Sequence, residues 1–358
     1  MIQEEAFLRF IHLADVHLGA VPDRGSAWSS RREEEIWETF RRIIAGIREN
    51  PVDLLFIAGD LFHRQPLIRD LKEVNRLFKT IPDTNIYIIA GNHDYIGRGS
   101  AYKKFRWAEN VIFFDREEIM CIDDDKIPVT VYGFSYCHQE ICESLLDGIC
   151  PEDGDGYHIL LAHGGDEKHV PIDFRDLMSS GFDYVALGHI HKPHIFGNGE
   201  MAYPGAPEPI DRNDTGEHGY IEGWTEGDTI RIRFVPFATR CYDIIELKID
   251  EDSTREGIEE ELTEEIARRG QENIYRVVLS GMRSADLLLI PEKLKACGNI
   301  VDLQDESRLM YDLESLKKQY AGTLVGDYIR FFSGKISDTE EKALFYGLQA
   351  LLSTSRER

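Results

Sequence analysis

The chain has 358 residues, 42% of them hydrophobic, which is enough for a core and too much for a disordered segment. Its formal charge of −24 argues against a protein that grips nucleic acid through bulk positive charge. No apolar run reaches the length of a membrane-spanning helix.

Leu8 to Ala14 reads as a buried strand, and Asp15 and His17 follow it. Ser30, with Glu33 three residues on, has the capping-box pattern of a helix start. Ile36, Trp37, Phe40, Ile43, Ile44 and Ile47 then recur at helical spacing. Leu54 to Ala58 is the next strand, ended by Gly59-Asp60, and Leu67, Ile68, Leu71, Val74, Leu77 and Phe78 mark a second helix. Ile86 to Ala90 is a third strand, ended by Gly91-Asn92-His93-Asp94. Later strands are predicted at Val111–Phe114, Val129–Phe134, His158–Ala162 and Tyr184–Leu187, the last two running into His163-Gly164 and Gly188-His189-Ile190-His191. Alternating strands and helices imply an α/β fold with sheets covered by helices.

After about Arg240 the pattern changes. Tyr242 to Ile249 alternates like a half-exposed strand, an acid-rich helix face covers Asp250 to Glu265, and a strand lies near Ile274–Ser280. Short helices fit Pro291–Ala296 and Leu313–Tyr320. The tail, with Tyr328, Phe331, Phe332, Ala343, Leu344, Leu348 and Leu351, reads as a pair of short amphipathic helices that either cap the second domain or dock on a partner. The expected division is 1–240 as the main α/β domain, 241–320 as a smaller α+β domain and 321–358 as a helical tail. Six scattered cysteines without C-x-x-C spacing are expected to be reduced and mostly buried, and an acidic N-terminus without the basic start of a secretory signal points to the cytoplasm.

Five polar clusters thus sit just past apolar runs, where ligands of α/β sheets gather. Asp-x-His and His-x-His put alternate side chains on one side of an extended segment, so each pair can converge on one ion. Carboxylate, imidazole and carboxamide form a donor set suited to manganese, iron or zinc.

The order Asp-x-His, Gly-Asp-x-x-His, Gly-Asn-His-Asp, one histidine after a strand and Gly-His-x-His resembles that of the calcineurin-like metallophosphoesterases. The strings Phe10 to Gly19, Ile57 to His63 and Tyr203 to Glu208 are similar to those of the SbcD-type DNA repair nucleases, in their YhaO-like bacterial branch. The resemblance covers about residues 7–240 and implies a two-sheet sandwich flanked by helices, with a smaller α+β capping domain and C-terminal helices. It implies that Asp15, His17, Asp60 and His191 hold one divalent ion, and Asp60, Asn92, His163 and His189 a second. It makes His93 the catalytic histidine near the leaving oxygen and gives His63 a part in positioning DNA. Asp94, next to His93, is expected to fix that imidazole's tautomer. The implied ions are manganese first, then iron or zinc. The implied partners are DNA and an SbcC-like coiled-coil ATPase, and relatives of this type commonly pair as homodimers. Arg64-Gln65-Pro66 keeps only part of the string that follows His63 in those nucleases, and Ala206-Pro207 stands where many relatives have a serine.

Tyr95, Arg98, Tyr102, Lys103, Lys104, Phe105, Arg106 and Trp107 interleave base and ring as single-strand binding surfaces do, or else form an amphipathic helix with a solvated basic face. Arg31, Arg32, Arg64 and Arg69 lie near two motifs and are either ordinary solvated surface arginines, the simpler reading of each alone, or phosphate contacts. Two competing readings are a phosphatase or cyclic-nucleotide phosphodiesterase on the same scaffold, and a non-catalytic scaffold. The second domain and the nuclease-like strings disfavour the first, and the intact set of donors disfavours the second.

Overall fold

Strand β1 (Arg9–Leu13) is followed by helix α1 (Ser29–Glu49), β2 (Leu54–Ala58), α2 (Ile68–Phe78), β3 (Asn85–Ile89) and β4 (Val111–Phe113). The computed structural model describes residues 8–284, 287–332 and 337–355. The chain divides into two compact units, Met1–Tyr242 and Asp243–Arg358.

In the first unit β5 (Met120–Asp123), β6 (Val129–Gly133), β7 (Tyr157–His163), α3 (Phe174–Met178), β8 (Tyr184–Gly188), β9 (His194–Phe196), β10 (Met201–Tyr203), β11 (Gly219–Glu226) and β12 (Thr229–Pro236) complete the order. One sheet runs β12-β11-β1-β2-β3-β4 and the other β5-β6-β7-β8-β10-β9. β1 to β4 are parallel, as are β6, β7, β8 and β10, so within each sheet these strands all end on one side.

Alternate side chains of the central strands serve two cores. Phe10, Leu54, Phe56, Tyr87 and Ile89 meet Val131, Ile159, Leu161, Tyr184 and Ala186 between the sheets. Ile11, Leu13, Leu55, Ile57 and Ile88 pack on Ile36, Phe40, Ile43, Leu71 and Phe78 of the two long helices. Burial on both faces explains why these strands read as unbroken apolar runs. The chain is a mixed α/β protein with two multistranded sheets and flanking helices.

Several local expectations change. α1 starts at Ser29, with Trp28 as the capping residue and no side-chain cap, so Ser30 lies inside the helix and forms no capping box. Ser29 Oγ instead donates to the Pro22 carbonyl, fixing the chain before the helix. β5 and β9 to β12 had no sequence expectation. Most are short or lie at sheet edges, and β11 alternates buried and half-exposed residues instead of forming an apolar run. Cys121, Cys142 and Cys150 are exposed, contrary to the expectation of mostly buried thiols.

The second unit holds β13 (Tyr242–Ile249), α4 (Arg255–Arg269), β14 (Ile274–Ser284), α5 (Pro291–Lys295), β15 (Ile300–Asp305), β16 (Arg308–Met310), α6 (Leu313–Gln319), α7 (Leu324–Phe331) and α8 (Asp338–Ser355). β14 lies between β13 and β15 and also pairs with β16. Ile245, Leu247, Leu262, Ile266, Tyr275 and Val277 form its core, while Val325 and Ile329 pack on Leu344 and Leu348 in the tail. Thr254 caps α4 by accepting from the Gly257 N–H, which starts the helix after the first acids of the Asp250–Glu265 run. No helix among the described residues is long and apolar enough to cross a membrane.

Candidate metal centre

The segments that leave β1 and β2 run side by side. Asp15 N–H donates to the Gly59 carbonyl at 3.1 Å and His17 N–H to the Asp60 carbonyl at 3.0 Å. Asp15, His17, Asp60 and His189 have φ values of 52°, 50°, 50° and 101°. These are four of the six non-glycine residues with positive φ among the described residues, in backbone territory that costs on the order of 1–3 kcal/mol each. Such strain collects where side chains must be aimed, and all four belong to the predicted site. Close approach adds a second constraint. A Cβ at Gly188 would overlap the Ala58 carbonyl oxygen, and one at Gly91 would overlap the Asp60 carboxylate.

The predicted donors fall into two adjoining groups. His17 Nε2 lies 3.1 Å from His191 Nε2, 4.0 Å from Asp15 Oδ1 and 3.8 Å from Asp60 Oδ2. His163 Nε2 lies 3.0 Å from Asn92 Oδ1 and 3.4 Å from the same Asp60 Oδ2. The His189 ring lies 5.3 Å from that of His163, and both Asp15 oxygens accept the His189 N–H. His163 Nδ1–H donates to the Ala58 carbonyl at 2.9 Å, which turns its Nε2 inward. Asp15, His17, Asp60, Asn92 and His163 are buried, and His189 and His191 are partly so.

This crowding displaces the protons. Burial pushes Asp15 up to about 6 despite His163 and His191, and burial together with Asp60 pushes Asp94 up to about 7. Burial would also raise Asp60, but His163 and His17 hold it below the usual carboxylate range. Burial pulls His163 and His191 down, yet Asp60 and Asp214 respectively outweigh it, leaving each raised to about 9. Burial drives His17 well below the ordinary imidazole value, and burial with His163 takes His189 down to about 4. Acids gathered away from water, balanced only by protons held on neighbouring rings, are a setting in which cations would displace those protons. Oxygen and nitrogen donors without a thiolate fit divalent ions of the manganese, iron or zinc type.

His93 is exposed beside this cluster. Its N–H donates to Asp60 Oδ1 at 2.9 Å, and its Nδ1 lies 3.0 Å from the His63 carbonyl oxygen. The His63 ring stacks on that of His93, with centroids 5.2 Å apart, and its Nδ1 is 3.4 Å from His17 Nδ1. The expected tautomer partner is corrected here. Asp94 is buried and spends its carboxylate on the N–H groups of Gly91 and Phe62 and on the Tyr102 hydroxyl, so the His63 carbonyl orients His93 instead.

The basic and aromatic segment also departs from expectation. Only Ala101–Lys104 is helical, as a single 3₁₀ turn. Tyr102 is buried, and Phe105 and Trp107 pack on the core, so those rings offer no stacking platform. Arg98, Lys103, Lys104 and Arg106 remain exposed, as does Arg64. Arg32 is wholly buried against Glu35, Glu208 and the Pro209 carbonyl and is removed from the candidates for phosphate contact. Two carboxylates at the site have no motif in the sequence. Asp166 Oδ2 lies 2.7 Å from His189 Nε2, and Asp214 Oδ2 lies 3.1 Å from His191 Nδ1. Only their places after His163 and after the Tyr203–Glu208 string could have drawn attention to them.

Carboxylates, imidazoles and a carboxamide that converge at parallel strand ends in two sheets define an α/β protein with a candidate divalent-metal centre. Residues 8–193 match the family model described as calcineurin-like phosphoesterase, and the chain belongs to that family, whose members use divalent metals. It is similar to the Bacillus subtilis protein named "Uncharacterized metallophosphoesterase YhaO", with 30% identity over 80% of this chain and 74% of that one. It is also similar to proteins named "DNA double-strand break repair protein Mre11". The one from Methanocaldococcus jannaschii is 28% identical over 70% of this chain and 72% of that one, and the one from Archaeoglobus fulgidus 26% identical over 87% and 76%.

Proposed function

We propose that this chain is a two-metal nuclease that hydrolyses phosphodiester bonds in DNA, at ends and internally, together with an SbcC-like coiled-coil ATPase. The observation that carries the two-ion reading is Asp60. Its Oδ2 faces both donor groups, 3.8 Å from His17 Nε2 and 3.4 Å from His163 Nε2. In this reading Asp15, His17, Asp60 and His191 hold one ion and Asp60, Asn92, His163 and His189 the other, manganese first, with iron or zinc as alternatives. Bound there, divalent ions would polarise phosphoryl oxygens and lower the pKa of water.

The protein's own groups do the rest. A carbonyl only accepts, so His93 Nδ1 carries the hydrogen toward His63 O and Nε2 is left for the substrate. As an imidazolium, His93 donates from Nε2 to the departing sugar oxygen. The link from His93 N–H to Asp60 ties that ring to the donor cluster. His63, stacked on His93, lines the path of the sugar-phosphate. Gln65 Nε2 donates to the Tyr95 carbonyl at 2.8 Å and fastens the two loops together. We assign Arg64, Arg98, Lys103, Lys104 and Arg106, exposed on these two segments, to phosphate contacts.

DNA is preferred over a small phosphoester because the similarity to the DNA repair proteins extends well past residue 193, over 70% and 87% of the chain. The ATPase partner, assigned to the C-terminal helices, follows from the resemblance to the SbcD-type nucleases. The test is a labelled single-stranded oligonucleotide with Mn²⁺, beside a cyclic nucleotide and p-nitrophenyl phosphate. Mn²⁺-dependent shortening of the oligonucleotide with slow turnover of the small esters is expected. The reverse order would move the chain to the small-molecule phosphodiesterases.

A further inference from the structure

The two histidines of Gly188-His189-Ile190-His191 are held through opposite ring nitrogens. His189 points Nε2 at Asp166 Oδ2, 2.7 Å away, which leaves Nδ1 as its other donor. His191 points Nδ1 at Asp214 Oδ2, 3.1 Å away, and brings Nε2 to within 3.1 Å of His17 Nε2. An ionised carboxylate only accepts, so the nitrogen facing it carries a hydrogen, and the opposite nitrogen is the one a cation takes, displacing any proton held there. We propose that Asp166 and Asp214 are positioning residues that set opposite tautomers on His189 and His191, so that each ring gives a different nitrogen to a divalent cation.

Both carboxylates are themselves fixed. Asp214 is buried, and the oxygen that faces His191 also accepts the N–H groups of Ile210 at 3.2 Å and Asp211 at 3.0 Å. Its carbonyl lies 3.0 Å from Nε2 of the buried His218, so its backbone is held as well. Asp166 sits three residues after His163 and accepts the N–H groups of Lys168 at 2.8 Å and His169 at 3.0 Å through Oδ1. His169 Nδ1, 2.9 Å from Oδ2, clamps it from the other side. A freely rotating imidazole would sample both tautomers and many ring angles. A fixed acceptor selects one tautomer and raises the basicity of the inward nitrogen. Opposite nitrogens also place the two lone pairs differently relative to the backbone, so neighbouring histidines can serve separate ions instead of chelating one.

This inference rests on the two-ion reading above, and the experiment separates the two. Mn²⁺ binding to the full-length chain is measured by calorimetry for wild type, Asp166→Ala and Asp214→Asn. Asp214→Asn keeps an oxygen for the Ile210 and Asp211 amides and for His191 Nδ1, and removes the charge that raises the basicity of His191 Nε2, while Asp166→Ala removes the acceptor itself. Asp166, half-exposed, tolerates truncation without opening a core. Each variant is expected to weaken one of two Mn²⁺ sites by about 10–100-fold while the other is retained. In the Zn²⁺-loaded protein, ¹⁵N spectra of labelled histidine are expected to show one of these rings protonated at Nε2 and the other at Nδ1. Should the metal-free Asp214→Asn protein also melt earlier, Asp166→Ala and the spectra of the wild type decide. Two Mn²⁺ ions bound as tightly by both variants as by wild type, or two histidines with the same tautomer, overturn the inference alone. A wild-type chain that takes up no Mn²⁺ overturns the two-ion reading and this inference with it.

Discussion

Nε2 of His17 and Nε2 of His191, 174 residues apart in the chain, lie 3.1 Å from each other inside the first unit. Two imidazole nitrogens at that distance repel as lone pairs or as N–H groups unless a proton or a cation lies between them. Stripping divalent ions with a chelator is therefore expected to lower the melting temperature and abolish hydrolysis, with Mn²⁺ restoring both. Saturation at 100 times the dissociation constant corresponds to about 2.7 kcal/mol of stabilisation. Equal melting curves with and without Mn²⁺, measured by differential scanning fluorimetry, would count against a cation at this pair.

His93 meets the donor cluster through its backbone N–H to Asp60 and through an edge contact of its ring with that of His17, centroids 4.9 Å apart, and its ring is oriented by the His63 carbonyl. His93→Ala is expected to reduce kcat by about 100- to 10,000-fold, the usual range for a lost general acid. Metal content, read by elemental analysis, should stay at the wild-type value. Loss of an ion in this variant would move His93 into the set that holds metal.

His12 is buried in β1, with Nδ1 2.8 Å from the Tyr184 hydroxyl, and burial lowers its pKa from 6.5 to about 3. The unfolded chain takes up a proton below pH 6.5 while the folded chain does not, so the unfolded state binds more protons there. Stability from this residue is complete above pH 6.5 and falls between pH 6.5 and about 3, by up to about 1.4 kcal/mol per pH unit. His12→Gln cannot titrate. Its unfolding free energy in urea should fall less steeply than that of wild type between pH 6 and 4, and parallel slopes would contradict the assignment.

Arg32 of α1 has no exposed surface, and its guanidinium meets Glu35 at 2.8 Å, Glu208 at 3.4 Å and the Pro209 carbonyl at 2.6 Å. Arg32→Met leaves the buried Glu208 short of its cation and should cost about 3–5 kcal/mol in urea unfolding. Adding Glu208→Gln is expected to recover part of that loss, because the two residues share one network. A single variant as stable as wild type would show that the pair does not hold α1 to the Tyr203–Glu208 segment.

The parallel strands at Leu54 and Ile86 and the polar clusters at Asp15, Asp60, Asn92, His163 and His189 were legible because both are local patterns. An apolar run buried on two faces announces a strand, and a glycine with acids or histidines just after it announces a strand end. Partners far along the chain leave no such trace. Asp166 and Asp214 each stand 23 residues from the histidine they face, and only their places after His163 and after the Tyr203–Glu208 string mark them. The same limit explains Tyr102, whose ring reads as a surface aromatic among lysines but turns inward to donate to Asp94. It explains Arg32 as well, a helix-start arginine that reads as a solvated surface residue or a phosphate contact and is buried by the return of Glu208 and Pro209. Periodicity and strand-end chemistry are properties of a few consecutive residues. Which ring nitrogen faces inward, and which charge is buried, depends on loops meeting across two sheets, and only the packed chain decides that.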